Sequence, residues 1–146
     1  MTHASVVALH LNVGSREPLV AVSTVTAQPG RGLDDKRHRR ANRSILLMEQ
    51  DVLEQFGLAP GSVREQVTVR GLSLASLAPA TRLRVGTAVL EAGGMCAPCE
   101  RMNEVQPGLR AALEGRRGRF FRVVEAGAFA VGDPITILAA DRSPAA

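Results

Sequence analysis

The apolar residues of this chain come in short runs, and nearly every run is closed by glycine, proline or a polar cluster. Runs of that kind are too short for long helices and favour strands joined by tight turns. Residues 6–11 read as a first strand and residues 19–26 as a second. Residues 44–48 form a further apolar run of strand length. Val67 and Val69 alternate with Thr68 and Arg70, and Leu83 and Val85 alternate with Arg82 and Arg84, as on half-buried strands. The strand pattern resumes after Gly86 over 87–91, and residues 120–124 and 135–138 complete the set. Residues 50–56 place Val52, Leu53 and Phe56 on one helical face, with Gly57 as a C-terminal stop. Residues 107–114 read as another short helix, and the polar stretch 28–40 reads as a loop. The expected fold class is mostly β (α+β): a closed or nearly closed β-barrel with a few short peripheral helices.

A chain of 146 residues is expected to form a single domain, 1–146, with its core over 5–138 and a frayed tail at 139–146. Apolar residues make up 45% and charged residues 22%, a globular balance. No apolar run approaches the ~20 residues of a membrane span, and no signal peptide is evident, so a cytoplasmic protein without a membrane partner is expected. The net charge of +4 is carried almost wholly by arginine, Lys36 being the one lysine. The guanidinium fork suits phosphates and carboxylates. With four phenylalanines and no tryptophan or tyrosine, the chain lacks aromatic platforms for stacking bases, which argues against a nucleic-acid partner.

The two cysteines sit together in Met95-Cys96-Ala97-Pro98-Cys99-Glu100. Pro98 suits the first position of a helix, which would put Cys99 in the first turn, where free N–H groups and the helix dipole favour thiolate. A reactive or metal-binding thiol, a redox dithiol and a buried inert pair all fit this pattern. A thioredoxin-like exchange site would need a βαβ context. Half a zinc site would need two more ligands, and the histidines are only His3, His10 and His38. Two basic clusters stand out: residues 36–43, and Arg116, Arg117 and Arg119 around Gly118. Each reads as an anion-facing turn or as a solvated loop.

In order along the chain come Gly30-Arg31-Gly32-Leu33 ahead of Arg37-His38, Asn42-Arg43, Leu58-Ala59-Pro60-Gly61, Arg64-Glu65-Gln66-Val67, Leu83-Arg84-Val85-Gly86, Cys96-Ala97-Pro98-Cys99, Gly115-Arg116-Arg117-Gly118 and Val131-Gly132-Asp133. This ordered set resembles the MOSC domain, the family named after the C-terminal domain of molybdenum cofactor sulfurase. The resemblance implies a β-barrel that binds the molybdenum cofactor, a pterin carrying a phosphate and a dithiolene-held metal. It implies that Cys99 is either a sulfur carrier, loaded as a persulfide, or the thiolate ligand of molybdenum, a soft metal site. It places Arg37, His38, Arg43, Arg64, Glu65 and Gln66 around the cofactor. Two activities follow from it, cofactor sulfuration and reduction of N-hydroxylated compounds. The first needs a cysteine desulfurase, whose pyridoxal phosphate would belong to that separate partner; the second needs an electron-donor protein. The chain departs from the family at three places: Asp35-Lys36-Arg37-His38 stands where Gly-Asp-Arg-His is common, Arg64-Glu65-Gln66 where Arg-Glu-Asn is usual, and a glycine expected before Leu83 is replaced near Ala80. The first two departures motivate an alternative, a catalytically degenerate binding or scaffold module of the same fold.

Overall fold

The computed structural model describes residues 3–14, 16–35 and 44–138. Strand β1 covers Ser5–Leu11, β2 Val20–Val22, β3 Thr24–Gln28, β4 Gly32–Leu33 and β5 Ile45–Glu49. Helix α1 (Gln50–Gln55) follows, then β6 (Val67–Arg70), a 3-10 turn at Leu74–Ser76, β7 (Arg82–Val85) and β8 (Ala88–Met95). After α2 (Arg101–Val105) and α3 (Leu109–Ala112) come β9 (Arg119–Glu125), β10 (Gly127–Ala130) and β11 (Ile135–Leu138). No helix among the described residues is long and apolar enough to cross a membrane.

The strands form an eight-stranded sheet in the order β11-β7-β8-β9-β5-β6-β1-β2 and a three-stranded sheet in the order β10-β3-β4. All pairings are antiparallel except β5 with β6, which run parallel across the connection that holds α1. Both sheets are open, so the closed barrel expected from the strand pattern is not formed. The reason lies on the edge of β1 opposite β6. There β2 takes Leu9, His10 and Leu11, leaving only Ser5 to make an isolated bridge with Pro134. Pro134 has no N–H to extend a ladder. Three backbone hydrogen bonds (Val6 N to Asp133 O, 2.9 Å; Gly132 N to Val6 O, 2.8 Å; Ile135 N to Ala4 O, 2.8 Å) bring the two sides together without closing the sheet.

The main core joins both sheets: Val25, Ala27, Leu33 and Phe129 of the small sheet belong to one cluster with Leu9, Leu47, Val69, Leu83, Leu90 and Phe121 of the large one. Met48 on β5 belongs instead to a second cluster with Val52, Leu53, Val63, Met102, Leu109 and Leu113. Strand β5 is therefore covered on both faces, which is why its apolar run does not alternate. The stretch read as one strand over 19–26 is two, β2 and β3, which break at Ser23 and join different sheets. Between β7 and β8, Gly86 has φ +57, and a Cβ there would overlap Ala128 O, so the small sheet packs directly on that turn.

Candidate functional site

Strand β8 ends at the cysteine loop, where Cys96 N donates to Gly118 O at 2.8 Å. Both thiols are free; Cys96 is half-buried and Cys99 exposed. Cys99 does not lie in a helical turn. Helix α2 begins at Arg101, with Glu100 as its N-cap. The first two bonds are three-residue steps, Met102 N to Cys99 O (2.9 Å) and Asn103 N to Glu100 O (3.0 Å), so Cys99 contributes only its carbonyl to a tight lead-in. The helix is five residues long, and the dipole argument for a Cys99 thiolate loses its structural basis. Among the described residues no group of three or more His, Cys, Asp or Glu is placed to hold a metal ion.

The segment Arg64-Glu65-Gln66 precedes β6, and its three side chains have different tasks. Arg64 sits at φ +65, a left-handed backbone that a bulky residue adopts only when its surroundings impose it. Its Nη1 donates to Glu17 O (2.8 Å) and its Nη2 to Gly14 O (2.9 Å), tying down the loop after β1. Glu65 is fully buried; Oε2 accepts from Gly61 N (2.9 Å) and Thr68 Oγ1 (2.7 Å), and Oε1 has no hydrogen-bond partner among the described residues. Gln66 is also buried: Oε1 accepts Leu46 N and Nε2 donates to Asp35 Oδ2, both at 2.9 Å. Thr68, expected on the open face of its strand, is buried because its hydroxyl serves Glu65.

A cleft of about 250 Å³ is lined by Arg16, Ser62, Arg64, Arg101, Met102, Glu104 and Val105. Of the Arg64-Glu65-Gln66 segment, only Arg64 is among these lining residues. Helix α2 forms one wall, and Cys99 lies two residues before Arg101 in the chain. Arg16 pairs with Glu104 across the cleft at 3.6 Å, with both side chains largely exposed, so the pair is worth little to stability. A second, smaller cleft of about 140 Å³ is lined by Thr26, Gln28, Arg31, Gly32, Leu33 and Asp34. Arg37, His38 and Arg43 lie outside the described residues.

The second basic cluster is not a solvated loop. Arg117 and Arg119 are buried and Arg116 is half-buried, its Nε on Ala112 O (3.0 Å) and its Nη1 on Gln55 Oε1 (2.7 Å). Arg119 donates to Gly93 O, Leu74 O and Leu77 O at 2.7–2.8 Å, stitching β9 to the end of β8 and the 3-10 turn. The residue order offers one hint, the short spacing around Gly118, and does not otherwise distinguish these structural arginines from solvated ones.

The ordered motifs and the sheet-rich fold have a counterpart among known proteins. The MOSC domain family model matches residues 34–136. The chain belongs to the MOSC domain family. Its fold is similar to that of YuaD from Bacillus subtilis, with a TM-score of 0.75 at 20% identity over 94% of this chain and 97% of that one. It is similar also to YiiM from Geobacillus stearothermophilus (TM-score 0.74, 18% identity, 92% of this chain and 75% of that one). YiiM from Escherichia coli gives a TM-score of 0.70 at 15% identity over 95% of this chain and 71% of its own. No match was found among curated protein sequences.

The donor chemistry of Cys99 and of the cleft fits one soft-metal ligand and an anion grip. Cys99 is an exposed free thiol, and three guanidinium-bearing residues line the cleft walled by helix α2. At about 250 Å³ the cleft is smaller than a typical small-molecule pocket, so it would hold a charged group of a ligand and not a whole cofactor.

Proposed function

We propose that this MOSC-domain protein binds the molybdenum cofactor, with Cys99 as its sulfur-carrying or molybdenum-ligating thiolate and the Arg64–Arg101 cleft holding an anionic group. The observation that carries the reading is the exposed, free Cys99 two residues ahead of Arg101, on the segment that leads into a wall of the cationic cleft. The bound cofactor would supply redox chemistry at molybdenum. What the chain contributes is the thiolate and the charge that orients an anion beside it. In the sulfuration form, the Cys99 thiolate takes sulfane sulfur from the persulfide of a separate desulfurase, releasing that enzyme's thiolate. In the reductase form, electrons come from a partner protein. Arg37, His38 and Arg43 are proposed to complete the anion grip, with Glu65 and Gln66 acting as its internal support.

The test is molybdenum and pterin content of protein purified from a cofactor-producing host, beside Cys99→Ala. Near-stoichiometric cofactor that is lost in the variant identifies a metal-ligating cysteine. Cofactor retained by both directs attention to a Cys99 persulfide, read as a gain of one sulfur by mass. Cofactor absent from both, with no persulfide, rejects the reading. A second reading, a binding module without catalysis, draws on Arg64, which is already committed to the backbone carbonyls of Gly14 and Glu17. It predicts cofactor binding that raises thermal stability equally in the wild type and Cys99→Ala.

A further inference from the structure

Arg117 lies in the turn that leads into β9 and is 6% exposed. Among the described residues no acceptor is in hydrogen-bond reach of its Nε or Nη1. Arginine stays protonated at all ordinary pH values, so this is a buried charge with unmet donors, which folded proteins avoid unless something pairs with it. The backbone is held on both sides of Arg117. Before it, Arg116 is fixed by two hydrogen bonds and by the Phe56 ring, 5.3 Å below its guanidinium. After it, the Gly118 carbonyl holds Cys96 N, and a Cβ on Gly118 would stand 2.7 Å from Leu47 O. The neighbouring buried cation, Arg119, spends its hydrogen bonds on carbonyls, and burial pulls its guanidinium below the usual arginine range. Among the described residues no salt bridge joins Arg117 or Arg119 to a carboxylate. Water could accept the spare N–H groups of Arg117 and would leave the paired charge uncompensated; a dianion answers both needs.

We propose that Arg117 is the ligand of a phosphate-class oxyanion, bound where the turn before β9 meets the end of β8 and the start of the cysteine loop, with Arg119 as the second buried positive charge. The site is separate from the Arg16–Arg64–Arg101 cleft and does not depend on the cofactor reading. Free inorganic phosphate and the terminal group of a phosphomonoester present the same chemistry to it.

The experiment is equilibrium dialysis of the full chain against inorganic phosphate and, in a parallel arm, glycerol 3-phosphate, at ionic strength fixed with chloride. The wild type takes up one equivalent saturably. Arg117→Met binds at least about tenfold more weakly, whereas Arg70→Gln, an exposed arginine outside both sites, binds as the wild type does. The arm with the tighter binding tells a free anion from a phosphate ester. A second readout needs no variant: the Nε–Hε resonance of Arg117 shifts with added phosphate and saturates at the same concentration. No saturable uptake in either arm, a resonance that does not move, or a folded Arg117→Met with wild-type affinity overturns the proposal. Loss of binding in Arg64→Gln and not in Arg117→Met overturns it as well.

Discussion

Gln66 and Asp35 meet in the interior, Gln66 Nε2 donating to Asp35 Oδ2 at 2.9 Å, with 3% and 5% of each residue exposed. These are two positions at which the chain departs from the pattern of its family. By the resemblance, Asp35 stands where glycine is common and Gln66 carries one methylene more than the usual asparagine, and the two side chains reach each other. The other end of the same amide accepts Leu46 N at 2.9 Å, while Gln66 N donates to Leu46 O at 3.1 Å. The departures therefore form one polar clasp between the segment after β4 and the centre of the large sheet.

Shortening the amide should open that clasp. Gln66→Asn is expected to lose about 1–3 kcal/mol, because an acceptor stays buried when its donor withdraws. In a cycle with Asp35→Ala, urea unfolding should show a coupling above about 0.5 kcal/mol. Additive losses would mean that the 2.9 Å contact carries no energy of its own.

Thr68→Val keeps the shape of the β6 side chain and removes the hydroxyl that Glu65 Oε2 holds at 2.7 Å. A hydrogen bond to a buried carboxylate is worth about 1.5–3 kcal/mol, so the midpoint of denaturation should fall accordingly. An unchanged midpoint would show that Glu65 does not need the hydroxyl.

Glu91 sits between two arginines, accepting from Arg122 Nε at 2.9 Å and Arg82 Nε at 3.2 Å. Desolvation pushes its carboxyl up, but the hydrogen bonds and charges of Arg122 and Arg82 outweigh this and leave it below the usual range. A depressed carboxyl gives stability that is fully present above its unfolded value and lost as pH falls through the folded one. Glu91→Gln should therefore cost about 1 kcal/mol at pH 7, with the gap to wild type shrinking below about pH 4. A gap that is constant from pH 7 to pH 3 would contradict the assignment.

Gly86 and Gly30 both have positive φ, yet alanine should affect them differently. At Gly30 nothing lies within 4 Å of a new Cβ, so the cost is the backbone strain alone, about 1 kcal/mol. At Gly86 the Cβ would also overlap Ala128 O and stand 2.8 Å from Phe129 Cβ. Thermal melts should show Gly86→Ala losing more than about 3 kcal/mol. Equal losses would mean that the small sheet yields freely at this turn.

Most strands were legible because alternation and closing glycines mark them: residues 135–138 match β11, and residues 6–11 lie within β1. Two strands, β4 and β10, were missed, since Gly32–Leu33 and Gly127–Ala130 are too short and too glycine- and alanine-rich to show a period. Ser23 carries no breaker signature, so the switch between sheets was invisible. At the candidate site the cysteine loop was readable from spacing. The burial of Glu65, Gln66, Arg117 and Arg119 was not, because charged and amide side chains are placed inside by partners distant in sequence, such as Asp35, Leu74 and Gly93.

The hydrogen bonds between residues 4–6 and 132–135 also set an order of events during synthesis. Strand β1 leaves the ribosome before every other described strand, yet the partner for its first residues is almost the last described segment to appear. Until then one end of β1 presents unpaired N–H and C=O groups, the template that recruits other chains. Pairing over so large a separation makes folding slow. This end of β1 is thus expected to stay open to wrong partners until residues 132–135 have left the exit tunnel.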